Sequence, residues 1–257
     1  MVDLTPFKAD PAKAAIVTDF DGTLSTIVED PASAVPLPGA PGIVHALSVA
    51  YGRVAVVSGR PVAFLAHHLG TDLLLSGIYG LERMEGGKVT IHPAAIEWME
   101  VVDAMAARAE DEAPEGVTIE RKGVSFTLHV RQAPQHLAWA HSLAEAIANS
   151  TGLALHEGRM SYELRPPVDV DKGTVVSNLV DGSTAACFLG DDVGDLPAFD
   201  ALDRLHADCG AHVVKVGVRS SEAPAELVER ADVLVEGPPG ALGFLRELLM
   251  QDANLRG

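Results

Sequence analysis

Two aspartates one residue apart, Asp19 and Asp21, sit in the run Asp19-Phe20-Asp21-Gly22-Thr23-Leu24. They follow Ala14-Ala15-Ile16-Val17-Thr18, an apolar run with the length of a buried strand. Carboxylates at the C-terminal end of such a strand face the crevice where open α/β sheets bind ligands. A carboxylate nucleophile, a second carboxylate beside it and a nearby hydroxyl, here Thr23, are the minimum for phosphoryl transfer through an aspartyl-phosphate. The plainer alternative is an Asx turn closing a strand, with Gly22 supplying the sharp bend.

Three further features fall at the ends of apolar runs. Ser58 follows Arg53–Val57, Lys172 opens a helix, and Asp191, Asp192 and Asp195 follow Ala185–Leu189. Each has an ordinary alternative: a helix cap for Ser58, a surface lysine for Lys172, a solvated turn for the aspartates. In a parallel sheet, however, all these strand ends share one edge. Asp19 would then attack phosphorus, and Asp21 would protonate the leaving alkoxide before taking a proton from water. Asp191, with Asp19 and the backbone carbonyl of Asp21, would form a hard oxygen site for Mg²⁺. Asp192 and Asp195 would orient the waters around that ion. Thr23, Ser58 and Lys172 would hold the phosphoryl oxygens. So many carboxylates together without a cation would be costly, which itself argues for bound metal.

These residues need a parallel sheet beneath them, and the first third of the chain has that pattern. A loop containing Pro31, Pro36, Pro38 and Pro41 precedes a helix over Gly42–Ala50, then come a strand over Arg53–Val57 and a helix over Val62–Leu69 with Pro61 suited to its first turn. Leu73–Leu75 reads as a third strand, and Glu85-Gly86-Gly87-Lys88 as a hairpin turn. The middle differs: a long amphipathic helix over Pro93–Glu112, strands over Val117–Arg121 and Ser125–Arg131, a helix over Pro134–Ser150, then strands over Leu153–His156 and Ser161–Arg165 around Glu157-Gly158-Arg159. Strand–helix alternation resumes after Pro166-Pro167, with a helix over Leu196–Leu202, strands over His212–Val218 and Val233–Val235, and a closing helix over Gly240–Met250. The expected architecture is α/β, a Rossmann-like core with a mostly parallel sheet over 1–91 and 167–257, interrupted by an inserted α+β cap over 92–166.

Composition narrows the function. The chain has 257 residues, 47% hydrophobic and 21% charged, as ordinary globular proteins do. Its net charge of −17, from 36 acidic against 19 basic residues, argues against nucleic acid as a partner. No apolar run approaches the length that spans a bilayer, and Met1–Pro6 lacks the basic-then-apolar signature of a signal peptide, which gives a cytoplasmic expectation. Cys187 and Cys209 lack metal-ligand spacing, and Cys187 lies in an apolar run suited to a buried structural thiol.

With these residues in view, the chain resembles the haloacid dehalogenase (HAD) superfamily of phosphotransferases. Its four motifs are matched by Asp19-Phe20-Asp21-Gly22-Thr23, Ser58, Lys172 and Gly190-Asp191-Asp192-Val193-Gly194-Asp195. The insertion between the second and third motifs is the type C2 cap position. Within the superfamily the chain is similar to the trehalose-6-phosphate phosphatases, through Ser58-Gly59-Arg60, Gly77–Glu82, the cap run from Lys122-Gly123 to His129-Val130-Arg131, Glu163-Leu164-Arg165-Pro166 and Asp171-Lys172-Gly173. Tyr79 stands where that family usually has histidine, and Gly194 and Leu196 replace its usual Thr and Glu; the metal-ligand positions are intact.

The resemblance implies an Mg²⁺-dependent hydrolase of a small sugar phosphate, functionally linked to a trehalose-phosphate synthase. It further implies substrate contacts by Arg60, Glu82, Lys122, Arg131, Glu163 and Arg165. Glu163 would accept from paired sugar hydroxyls, with Lys122 and Arg165 donating; an ordinary solvated sheet face is the alternative for Arg131 and Arg165. Cap closure would exclude water from the phosphoester. Other readings stay open: a phosphatase of sucrose phosphate or of glucosyl- or mannosyl-glycerate phosphate, a phosphomutase, or a non-catalytic sugar-phosphate sensor.

Overall fold

The apolar runs become strands because each can be buried on both faces. In chain order the strands are β1 (Ala14–Thr18), β2 (Arg53–Val57), β3 (Leu74–Gly77), β4 (Glu82–Glu85), β5 (Lys88–Ile91), β6 (Thr118–Arg121), β7 (Phe126–His129), β8 (Ala154–Gly158), β9 (Ser161–Arg165), β10 (Ala185–Gly190), β11 (His212–Arg219) and β12 (Val233–Glu236). The helices are α1 (Thr5–Ala9), α2 (Ala40–Ala50), α3 (Val62–Leu69), α4 (Pro93–Ile96), α5 (Met99–Glu112), α6 (Leu137–Thr151), α7 (Lys172–Val180), α8 (Leu196–Cys209), α9 (Ala225–Arg230) and α10 (Gly237–Leu249). This computed structural model describes residues 2–28, 33–158, 160–220 and 223–250. Pro31 of the expected proline loop and Arg159 of the expected turn lie outside the described residues.

The chain divides into two units, Met1–Val89 with Val170–Gly257, and Thr90–Asp169. In the first, the strand order among the described residues is β12-β11-β10-β1-β2-β3-β4-β5. β12 through β3 pair in parallel, and β4 joins β3 antiparallel. All of β1 and all of β10 are buried, so these two strands form the middle of the sheet. Alternate side chains serve opposite layers. Ile16, Val56 and Leu189 pack with Val44 and Leu47 of α2, Leu65 of α3 and Leu245 and Leu248 of α10. Ala15, Val17, Ala55 and Phe188 pack with Val176 and Leu179 of α7, Phe199 and Leu202 of α8 and Leu227 of α9. Such two-sided burial explains why these strands read as continuous apolar runs.

The second unit is a layer of helices on one face of an antiparallel sheet ordered β6-β7-β9-β8. Val102 and Ala106 of α5 and Leu143 and Ile147 of α6 pack on Phe126, Leu128, Tyr162 and Leu164. The strands alternate, so Thr127, His129 and Glu163 fall on the opposite face from that core.

Several expectations are adjusted. The helix expected over Pro93–Glu112 is broken into α4 and α5, where Trp98 N–H bonds to Ala95 O three residues back and tightens the turn. Pro61 caps α3 rather than lying in its first turn. α8 runs on to Cys209, where the left-handed Gly210 ends it. The hairpin signal at Gly86-Gly87 is flanked by strands β4 and β5, and α1 and α9 were not anticipated. Cys187 is buried and Cys209 exposed, and burial pushes the Cys187 thiol up to about 12. Among the described residues, no helix is long and apolar enough to cross a membrane.

Candidate active site

Register brings the two aspartate motifs together. Thr18 at the end of β1 pairs with Leu189 of β10, and the Asp19 N–H bonds to Leu189 O at 2.9 Å. Asp19 and Asp191 therefore leave adjacent strands at one level. An ideal Cβ on Gly22 would lie 2.0 Å from Asp191 Oδ2, and Gly22 has φ +71°. Only glycine permits both that backbone and that approach.

Lys172 arrives from the other side of the sequence. Asp171 caps α7, its Oδ1 accepting from Thr174 N–H at 2.7 Å, which sets Lys172 as the first helical residue. Lys172 Nζ lies 3.0 Å from Asp19 Oδ2 and 2.6 Å from Asp195 Oδ1. Asp195 Oδ2 accepts the Asp191 N–H at 2.8 Å and the Asp192 N–H at 3.1 Å. Lys172 is 3%, Asp19 4% and Asp195 0% exposed, whereas Asp192 is exposed.

The electrostatics follow from one buried cation among several carboxylates. Burial holds the Asp19 carboxyl well above the usual range; Lys172 opposes this, while Asp195, Asp191 and Asp192 add to it. Burial, then Asp195 and Asp192, raise Asp191 to about 8. Burial also raises Asp195, against the pull of Lys172. Burial disfavours the Lys172 ammonium too, yet Asp19 and Asp195 outweigh it and keep its pKa well above normal. The outnumbered cation is thus satisfied, and the carboxylates carry the desolvation cost.

Carboxylate oxygens of Asp19, Asp191 and Asp195 lie within 4.8 Å of one another. With Lys172 they sum to a formal charge of −2 when ionised. A buried, all-oxygen, net-negative donor set fits a small hard divalent cation. The sequence expectation drew its set from Asp19, Asp21 and Asp191; the side chain that joins Asp19 and Asp191 is Asp195, and its oxygens are already engaged by Lys172 and two backbone N–H groups.

Asp21 has another partner. Arg60 Nε donates to Asp21 Oδ2 at 2.7 Å and Arg60 Nη2 to Oδ1 at 2.8 Å. The guanidinium lies over the Phe64 ring, 4.7 Å from its centroid. Arg60, expected among the substrate contacts, is paired with the acid/base candidate. Glu82, expected to meet the sugar, uses Oε2 to accept the Val62 N–H at 2.8 Å and so caps α3; burial raises its carboxyl. Ser58 is buried, and its Oγ accepts the Arg60 N–H at 3.2 Å. Thr23 Oγ1 is buried without a hydrogen-bond partner.

The inserted unit carries a separate polar cluster. Glu163 Oε1 accepts from Ser125 Oγ at 2.8 Å and from Lys122 Nζ at 3.3 Å. Lys122 also lies 3.8 Å from Glu120, which His129 Nε2 meets at 2.8 Å. Thr127, directly between Glu120 and Glu163 in register, is 3% exposed with an unpartnered hydroxyl. Arg165 Nε donates to His156 Nε2 at 2.7 Å, and Arg131 is half-buried in the turn after β7. Sequence reasoning singled out neither Glu120 nor Thr127 for this cluster, although i, i+2 alternation along β6 and β7 carries the signal.

The sequence model of the family described as trehalose-phosphatase matches residues 17–231. The trehalose-phosphate phosphatase of Mycobacterium marinum is 31% identical over 255 residues, covering 95% of this chain and 63% of that protein. The Mycobacterium leprae protein of the same name is 32% identical over 224 residues, covering 81% and 51%. The chain thus spans 51–63% of the length of these curated relatives. Among solved structures, the C-terminal domain of a C. albicans trehalose-6-phosphate phosphatase is similar with a TM-score of 0.74 and 25% identity, over 95% of this chain and 94% of that one. A trehalose-6-phosphate phosphatase related protein gives a TM-score of 0.78 at 23% identity, over 91% and 96%, a likeness of fold.

Proposed function

The chain belongs to the trehalose-phosphatase family, and from that premise we propose that it is a phosphomonoesterase releasing phosphate from trehalose 6-phosphate through an aspartyl-phosphate on Asp19. The observation that carries the reading is the buried Asp19–Lys172–Asp195–Asp191 cluster at the ends of β1 and β10. Asp19 is the nucleophile, with Lys172 as its standing counter-charge. As the P–O bond to the sugar breaks, Asp21 gives the leaving oxygen a proton; it then takes one from the water that hydrolyses the acyl phosphate. Lys172 has three N–H groups; two serve Asp19 and Asp195, and the third is offered to a phosphoryl oxygen. Ser58 Oγ and the unpartnered Thr23 Oγ1 complete the phosphate ligands. Asp19, Asp191 and the Asp21 carbonyl would hold Mg²⁺, which when bound supplies neutralising charge to the phosphoryl group. Asp195, fixed by Lys172, and Asp192 would orient water around it.

Sugar selection is assigned to the inserted unit. Glu163 and Lys122 already exchange one hydrogen bond, and sugar hydroxyls would share their remaining capacity, with Arg131 and Arg165 contributing at the same polar face. A cytoplasmic location and a supply of substrate from a trehalose-phosphate synthase complete the proposal.

The test is phosphate release from trehalose 6-phosphate, sucrose phosphate and glucosyl-glycerate phosphate, with Mg²⁺ or with chelator. Turnover of the first, lost on chelation, is expected. Asp19→Asn should abolish turnover while still binding inorganic phosphate. No release from any ester by folded protein would sink the enzymatic reading, and preference for sucrose phosphate would sink the substrate assignment alone.

A further inference from the structure

We propose that Arg60 is a positioning residue for Asp21, an inference that rests on the phosphatase reading above. Nε and Nη2 of the Arg60 guanidinium each donate to one oxygen of the Asp21 carboxylate, at 2.7 and 2.8 Å. A planar fork on both oxygens fixes the carboxylate plane as well as its distance, which a lysine cannot do.

Arg60 is itself held at its guanidinium face and at its backbone. Its face rests on Phe64 at 4.7 Å, and Phe64 meets Phe20 edge-on with ring centroids 5.7 Å apart. Phe20 is the fully buried residue between Asp19 and Asp21. The chain therefore closes a ring: Phe20 seats Phe64, Phe64 seats Arg60, and Arg60 grips Asp21. The Arg60 backbone is pinned as well, its carbonyl accepting the Ile78 N–H at 3.0 Å while Ser58 O accepts the Tyr79 N–H at 3.1 Å.

Those two donors belong to a strained turn. Ile78 and Tyr79 both have positive φ, +47° and +54°, conformations that cost most for a β-branched or bulky residue. The Tyr79 ring packs so close to Gly59 that an ideal Cβ there would lie 2.7 Å from it. Glu82, at the far end of the turn, holds the Val62 N–H. Strain on one side of Arg60 and an aromatic seat on the other both serve the same end, the direction of the Asp21 carboxylate. In the reaction one Asp21 oxygen transfers the proton to or from substrate, and Arg60 keeps hold of the other.

The test compares trehalose 6-phosphate, whose alkoxide must be protonated as it leaves, with 2,4-dinitrophenyl phosphate, whose phenolate need not be. Arg60→Ala should lower kcat on the sugar ester roughly 100-fold and on the aryl ester less than about threefold, with little change in either KM. Free guanidinium should restore part of the lost rate. Arg60→Lys, which keeps the charge but not the fork, should stay impaired about tenfold or more on the sugar ester. In the metal-free protein, the Arg60 ¹⁵Nε–H signal, assigned by its loss in Arg60→Lys, should report a slowly rotating guanidinium that Asp21→Asn sets free. Equal losses on both esters with raised KM would make Arg60 a substrate ligand and overturn the inference, as would unchanged rates or a freely rotating guanidinium. Wild-type protein inactive on both esters would overturn the phosphatase reading, while the spectrum would still judge the clamp.

Discussion

Removing the one buried ammonium from the carboxylate cluster is the most direct test of its electrostatics. Lys172→Met keeps the side-chain volume and takes away contacts of 3.0 Å to Asp19 and 2.6 Å to Asp195, all on groups no more than 5% exposed. The formal charge of the four-residue cluster goes from −2 to −3. Stranding one side of a buried ion pair costs about 3–5 kcal/mol, a large part of the roughly 5–15 kcal/mol that holds a domain folded. The loss should depend on pH in a defined direction. Burial already raises Asp19 and Asp195 above their unfolded value of 3.8, so the native state binds more protons than the unfolded state above that pH. Stability therefore falls as pH rises through the folded pKa values. Without Lys172 those values rise further, and the variant's deficit should be small at pH 5 and largest at pH 8. Both tryptophans, Trp98 and Trp139, lie in the inserted unit, so fluorescence would not report on the cluster directly. Hydrogen exchange read by mass spectrometry does: in chelator at pH 8, peptides covering β1 and β10 should exchange roughly 150- to 5,000-fold faster, the equivalent of that energy. Peptides of β7 and β9 serve as the internal reference. Unchanged protection of β1 and β10 at pH 8, or a deficit equal at pH 5 and pH 8, would refute the view that Lys172 compensates these carboxylates.

Two other substitutions separate the proposed metal site from the proposed sugar site. Gly22→Ala forces a Cβ to within 2.0 Å of Asp191 Oδ2 at a φ of +71°, so Asp191 must move; the thermal stabilisation produced by Mg²⁺ should shrink as if affinity fell about tenfold or more, and an unaltered Mg²⁺ response would contradict the role given to Asp191. Glu163→Gln keeps the volume but weakens acceptance from Ser125 and Lys122; KM for trehalose 6-phosphate should rise roughly 10- to 100-fold while an aryl phosphate lacking the sugar is turned over normally. Equal damage to both substrates would remove Glu163 from sugar recognition.

The core sheet was legible because burial on two faces leaves an unmistakable pattern. β1, β2 and β10 are apolar along their middles, and each is followed by a residue that breaks the pattern: Asp19, Ser58 and Asp191. The alternating Ser125–Arg131 run likewise announced a sheet with one wet face. Less legible were elements whose stability is tertiary. α9 is six residues long, with only Leu227 buried, and too short to show helical periodicity. β4 has a single buried residue, Met84, and β5 has none; β4 exists because β3 offers an edge, and β5 is added beside β4. The break at Trp98 also has no Gly or Pro to signal it.

At the site, strand ends fix which residues meet, whereas side-chain partners depend on geometry that spacing does not encode. Lys172 with Asp19 could be inferred from shared strand edges, since each lies within a residue of an element boundary. Arg60 was read as a substrate contact because a cation near a phosphate site has an obvious use. Its pairing with Asp21 follows from facts outside the local sequence: the turn at Ile78–Tyr79 holds its backbone, Phe64 lies beneath its guanidinium, and Asp21 presents both oxygens to it. Glu82 shows the same limit, since capping α3 requires Val62 and Glu82, 20 residues apart, to meet. An acidic site needs a cation for each carboxylate that must stay ionised and oriented. Asp19 and Asp195 have Lys172, Asp21 has Arg60, and Asp191 has none among the side-chain contacts described. That carboxyl, raised to about 8, is where the proposed Mg²⁺ would supply the missing positive charge.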